Sequence, residues 1–165
     1  MKRQKGFSLI ELLIVVAIIL IIAAIAIPNL LRSRMAANEA SAVGSMRTIN
    51  TAEVTYATAY PDTGYAALLS SLGGTAASCA PPAVATTTNA CLLDFVLSSG
   101  NKSGYTFTAV GTIVGTGTII NTFASTAVPQ GIGSTGQRGF GSNQTGVVRY
   151  TTTGVAPTNA SSALQ

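Results

Sequence analysis

Polar residues open the chain, with Lys2, Arg3, Gln4 and Lys5, and the pattern then turns apolar for a long stretch. From Leu12 to Ile27 no polar side chain interrupts it. Phe7 to Ile27 covers 21 residues, which as a helix spans roughly 31 Å, close to the hydrocarbon thickness of a bilayer. Beyond Pro28 the pattern becomes one-sided: Val43, Met46, Ile49 and Tyr56 recur at helical spacing, which predicts the core-facing stripe of an amphipathic helix. Pro28 is the one strong breaker between Phe7 and Ala59; Gly44 costs a helix only about 1 kcal/mol. The pattern therefore predicts a single helix over 7–59, roughly 80 Å long. Pro28 should kink it, since proline removes one helix hydrogen bond and crowds the preceding turn. The first half reads as a membrane segment, the second as the part that packs on a globular head.

After the helix, Tyr60-Pro61-Asp62-Thr63-Gly64 carries turn chemistry. Ala66–Leu72 reads as a short helix closed by Gly73-Gly74, and Leu92–Leu97 fits helix or strand equally. Tyr105, Phe107 and Ala109 alternate with Thr106, Thr108 and Val110, as in a half-buried strand. Thr118–Ala124 and Gly146–Thr152 are further strands, and Gly139-Phe140 belongs to another short one. The sum is an α+β chain, a long N-terminal helix packed against a three- or four-stranded antiparallel sheet. Its parts are a leader (1–6), a membrane-spanning half-helix (7–28), an amphipathic half-helix (29–60) and a head (61–165).

Composition narrows the function. Hydrophobic types make up 47% of the 165 residues and charged types 8%, against about a quarter charged in an ordinary soluble domain. With no histidine, a Ser-His-Asp or Cys-His catalytic set and a histidine-ligated metal are excluded. Five acidic residues over the whole chain are a poor supply for a two-carboxylate site. The stretch Gly131–Gly141 lacks the Lys-Ser/Thr ending of a phosphate cradle, and the sequon-like triplets at Asn101, Asn143 and Asn159 read as chance matches in Ser/Thr-rich sequence. No enzyme activity, cofactor or metal is expected.

The basic flank, the apolar run and the later polar sequence predict an N-terminus inside and the remainder exported. Three readings of the run compete: a signal peptide cut after Ala24-Ile25-Ala26, a plain single-pass anchor, and a short basic leader cut before a run that is kept. Glu11 discriminates among them. A carboxylate within a membrane span costs about 2.5–3.5 kcal/mol and is usually functional; a signal peptide gains nothing from it. In an exported chain, the two cysteines, Cys79 and Cys91, read as one disulfide, with two free thiols as the alternative.

Lys5-Gly6-Phe7-Ser8-Leu9-Ile10-Glu11-Leu12-Leu13, followed by Val15-Val16-Ala17-Ile18-Ile19 and Ala23-Ala24-Ile25-Ala26-Ile27-Pro28, resembles the N-terminus of type IV pilins and pseudopilins. The resemblance implies that a prepilin peptidase cuts between Gly6 and Phe7 and methylates the new amino group of Phe7. It implies that Glu11, one helical turn on, pairs with that amino group, often of a neighbouring subunit, and so sets register; an intrachain pair at the helix N-terminus is the alternative. It also associates Pro28 with a bend. Leu20 departs from the glycine that many relatives carry, and the cysteines lie mid-chain where many pilins place theirs nearer the C-terminus. The implied protein is a structural subunit, a homopolymer of itself. It waits in the bacterial inner membrane with its N-terminus cytoplasmic, meets an inner-membrane assembly platform, and ends in an extracellular pilus for adhesion, motility or DNA uptake. With few basic residues in the head, any DNA binding would come from the assembled fibre. A type II secretion pseudopilin is the alternative, as is a minor, priming pilin; the absence of Asp or Glu after Asp94 weakens the calcium site common in the major pseudopilins. Removal of residues 1–6 takes three basic side chains from nine, leaving six against five acidic and turning +4 into +1.

Overall fold

The computed structural model describes residues 8–82 and 84–164. The chain divides into two compact units, Met1–Arg34 and Met35–Gln165. Its element order is α1 (Leu9–Ala59), α2 (Leu69–Leu72), α3 (Ala76–Cys79), α4 (Phe95–Ser98), β1 (Asn101–Lys102), β2 (Tyr105–Thr112), β3 (Thr122–Pro129), β4 (Gly139–Asn143) and β5 (Arg149–Thr151). This is an α+β arrangement with a long N-terminal helix and an antiparallel sheet.

Helix α1 is assigned over 51 residues and continues through Pro28. Its first part, in the N-terminal unit, leaves the large apolar side chains from Leu9 to Leu31 exposed. From Glu39 onward one face is buried: Ala42, Met46, Ile49, Ala52 and Tyr56 enter the hydrophobic core. That is the stripe the spacing predicts, with Val43 half-buried at its margin. It meets Tyr105, Phe107 and Ala109 of β2, Ala127 of β3 and Phe140 of β4 in one cluster.

The sheet has five strands in sequential order, β1-β2-β3-β4-β5, all neighbours antiparallel. Strand β2 pairs with β3 from Tyr105↔Pro129 to Thr112↔Thr122. Tyr105, Phe107 and Ala109 point into the core as the alternation predicts.

Several boundaries differ from the sequence expectation. The helix at Ala66–Leu72 is confined to Leu69–Leu72, because Ala66–Leu68 is held extended. The Ala66 N–H donates to Glu53 Oε2 at 2.9 Å, Leu68 bridges Val110, and the Gly111 N–H donates to the Ala67 carbonyl. Strand β3 starts at Thr122 rather than Thr118. Ile120 is instead tied to Thr63 and Tyr65, and the Asn121 side chain holds both the N–H and the carbonyl of Val114. It then runs on to Pro129 with Ser125 and Ala127 inward, small residues that give little strand signal. Strand β5 is shorter than Gly146–Thr152, since Gly146 turns at positive φ and the Gly146 and Val147 carbonyls accept from Asn50 and Ser142. The Leu92–Leu97 ambiguity resolves as α4, whose first turn is capped by the Asp94 carboxylate accepting from the Leu97 N–H at 2.7 Å.

Strand β4 is buried on both faces. One side faces the core, and the irregular C-terminal stretch covers the other. A Cβ on Gly139 would strike the Val155 carbonyl, and one on Gly141 would press on Pro157.

Candidate functional site

Two groups of residues matter, one in each unit. In the N-terminal unit, Gly6 and Phe7, where cleavage and methylation are expected, lie outside the described residues. Glu11 is exposed in the first turn of α1, and its Oε2 accepts from the Ser8 backbone N–H at 2.8 Å. This is a helix N-terminal position, where backbone N–H groups favour a carboxylate. Around and beyond it stand Leu9, Ile10, Leu12, Leu13 and the aliphatic residues to Ile27, all without a partner surface. By length and composition α1 can cross a membrane, with an 18-residue window of mean hydropathy 3.3 that buries none of its residues. Arg32 and Arg34 follow, both exposed.

In the head, the carboxylates of α1 do something the sequence reading misses. Glu39 and Glu53 are each engaged within the head. Glu39 Oε1 accepts from the backbone N–H groups of Gln137 and Arg138 at 2.9 and 3.0 Å, and its Oε2 accepts from Arg138 Nε at 2.7 Å. Burial would raise the Glu39 carboxyl; the Gln137 N–H and the Arg138 side chain and N–H outweigh it and hold the group below its ordinary value. The same guanidinium lies over the Phe140 and Tyr150 rings at 5.5 and 5.7 Å.

Glu53 is fully buried. Its Oε2 accepts from the Ala66 N–H, while its Oε1 has no partner. Burial pushes its carboxyl up from 4.5 to about 7, and the Ala66 bond offsets this only in part. Asn50, one turn earlier on the same face, donates to Ser142 Oγ and the Gly146 carbonyl, and its own Oδ1 is also unpaired. A signal for both carboxylates existed. Glu39 precedes Ala42 by three and Met46 by seven, and Glu53 lies four after Ile49 and three before Tyr56. Both therefore fall on the buried stripe.

The disulfide Cys79–Cys91 is formed, with Cα atoms 5.7 Å apart. It closes the loop 79–91, which begins at the last residue of α3, a short helix whose N-terminus carries a reciprocal cap between Thr75 and Ser78. Tyr56 Oη donates to the Thr87 carbonyl of that loop at 2.7 Å, fastening it to α1. Pro28 lies within α1. Among the described residues, no group of three or more His, Cys, Asp or Glu side chains could hold a metal ion.

With this geometry in view, similarity to known proteins is informative at the N-terminus. A family model described as the prokaryotic N-terminal methylation motif matches residues 1–27. The chain is 64% identical over 39 residues to the type IV wide pilus major component PilA4 of Thermus thermophilus, a match covering 24% of this chain and 30% of that protein. It is 44% identical over 54 residues to the type IV major pilin protein PilA of Myxococcus xanthus, covering 33% of this chain and 24% of that protein. The chain thus matches less than a third of the length of either relative. No solved structure matches it. By motif and by similarity, the N-terminal segment is like that of these two type IV pilins.

Proposed function

We propose that the chain is a type IV pilin subunit, a structural protein that polymerises through α1 into a surface fibre. The observation that carries this reading is the methylation motif on residues 1–27 leading into a helix whose large apolar side chains from Leu9 to Leu31 are exposed. A prepilin peptidase removes residues 1–6 and methylates the amino group of Phe7. The processed chain waits in the inner membrane with its N-terminus at the cytoplasmic side, and the assembly platform draws it into the fibre. Moving from lipid to a helical bundle replaces one apolar surround with another. The gain must therefore come from close packing and from polar pairing. Glu11 supplies that pairing: its carboxylate meets the Phe7 ammonium of a neighbour, and each group escapes the penalty of standing unpaired in an apolar medium. Pro28 gives the helix a place to bend as neighbours pack. The homologous major components named above support a major rather than a priming subunit.

Processing and export test the reading together. Cells making the chain are sheared, and the released material and membranes are probed for it. The reading expects the shortened chain in released fibres, and expects Gly6→Val to leave a full-length chain confined to the membrane. A shortened chain that stays wholly in the inner membrane would contradict the pilin reading and favour a secretion pseudopilin.

A further inference from the structure

The head carries two exposed charges that its own fold leaves unanswered. The described residues form two ion pairs, Lys102–Asp94 and Arg138–Glu39. Arg47, on the exposed side of α1, and Asp62, at the tip of the turn that ends it, are both exposed and belong to neither. Arg47 stands beside a groove of about 400 Å³ floored by Ala40 and Gly44 of α1 and by Leu164, with the Glu39–Arg138 pair at its other side. Among the described residues two guanidiniums and one carboxylate line it, so that lining is net cationic. It is also open: a Cβ on Gly44 would meet nothing within 4 Å.

We propose that this groove is a docking surface for a second copy of the chain, and that the turn carrying Asp62 is what enters it. The inference rests on the pilin reading and names a contact between heads within the fibre. Charge selects the occupant. Glu39 and Asp94 have cations and Glu53 is buried, which leaves Asp62 as the exposed acidic side chain without a cation among the described residues of the head. Pro61, also exposed, supplies a small rigid apolar surface suited to the Ala40–Gly44 floor. One copy cannot satisfy itself. From Arg47 to Ala59 the helix rises about 18 Å, so groove and turn sit at different levels of the same head. Because they are different surfaces, their contact is heterologous. Such a contact leaves a free half on each copy and, where the rotation does not close, propagates as a filament.

Charge reversal in the full-length chain tests this, with sheared fibre yield as the readout. Arg47→Asp or Asp62→Arg alone places like charges together at every subunit contact and should lower fibre yield about tenfold. The double variant restores the attraction and should recover most of the yield. Gly44→Leu, whose Cβ would meet nothing within 4 Å, projects into the groove and should also block assembly. Leader removal and the intramolecular disulfide, followed in the same samples, confirm that each variant is made and folded. Normal fibres from either single reversal would overturn the proposal, as would a folded, processed double variant that does not recover. If the unaltered chain itself yields no fibres, it is the pilin reading that fails.

Discussion

Glu11 and Glu53 lie on one helix and resolve their charge in different ways. Glu11 is exposed, and its only described partner is the Ser8 backbone N–H. A single backbone bond is a poor answer to the cost of a carboxylate in an apolar surround, which is why the proposed assembly gives Glu11 a cationic partner. Glu11→Ala should leave leader removal unchanged and reduce fibre yield about tenfold or more; gel shift follows the first and shearing the second. Wild-type yield would remove the role assigned to Glu11. Glu53 instead favours the proton. Its carboxyl lies near 7 in the folded head against 4.5 unperturbed. A group raised on folding stabilises fully below its unfolded value and loses that contribution as pH rises through its folded value. The head should therefore lose about 2–3 kcal/mol between about pH 4.5 and pH 7.5. Below that window the trend reverses, because Glu39 and Asp94 are held low and lose their partners as they protonate. Thermal unfolding of the full chain in detergent should thus be most stable in mildly acidic solution. Glu53→Gln keeps an acceptor for Ala66 and supplies a donor on the side of Asn50. It should flatten the decline above pH 5; an unchanged decline would assign the pH dependence to another group.

At the scale of elements, what was legible follows from where side chains alternate. The long helix shows in its unbroken apolar run and in the Val43–Tyr56 stripe, and β2 shows in Tyr105, Phe107 and Ala109, because large apolar residues mark those faces. Strands β3 and β4 are blurred because, apart from Phe123 and Phe140, their buried residues include Ser125, Ala127, Gly139, Gly141 and Ser142, too small or polar to register. Burial of β4 beneath the C-terminal stretch has no local signal at all, since it depends on residues 154–158 returning over it. That cover makes a sharp prediction. Gly139→Ala drives a methyl group into the Val155 backbone, and overpacking of this kind costs about 1–3 kcal/mol. Unfolding of the full chain in denaturant should shift accordingly. An unchanged midpoint for Gly139→Ala would mean that the cover over β4 is not tight.

Over the whole molecule, charge is sparse and unevenly placed. Three of the nine basic residues lie in residues 1–6, so the +4 of the full chain becomes +1 once those are removed. The apparent basicity is mostly that of residues 1–6. The head keeps itself hydrated with Thr, Ser, Asn and Gly, and a nearly neutral surface repels its copies little. The N-terminal motif could be read directly because its residue types and spacing are local. The Glu39–Arg138 contact could not, because it joins positions 99 residues apart.

The central claim is that residues 1–6 are removed and that the apolar helix after them is kept and built into a fibre. Mass spectrometry of the N-terminal peptide from sheared surface fibres tests it most directly. The predicted result is a dominant chain beginning at N-methylated Phe7. Chains beginning at Met1 or just after Ala26, or fibres that lack this chain, would contradict it.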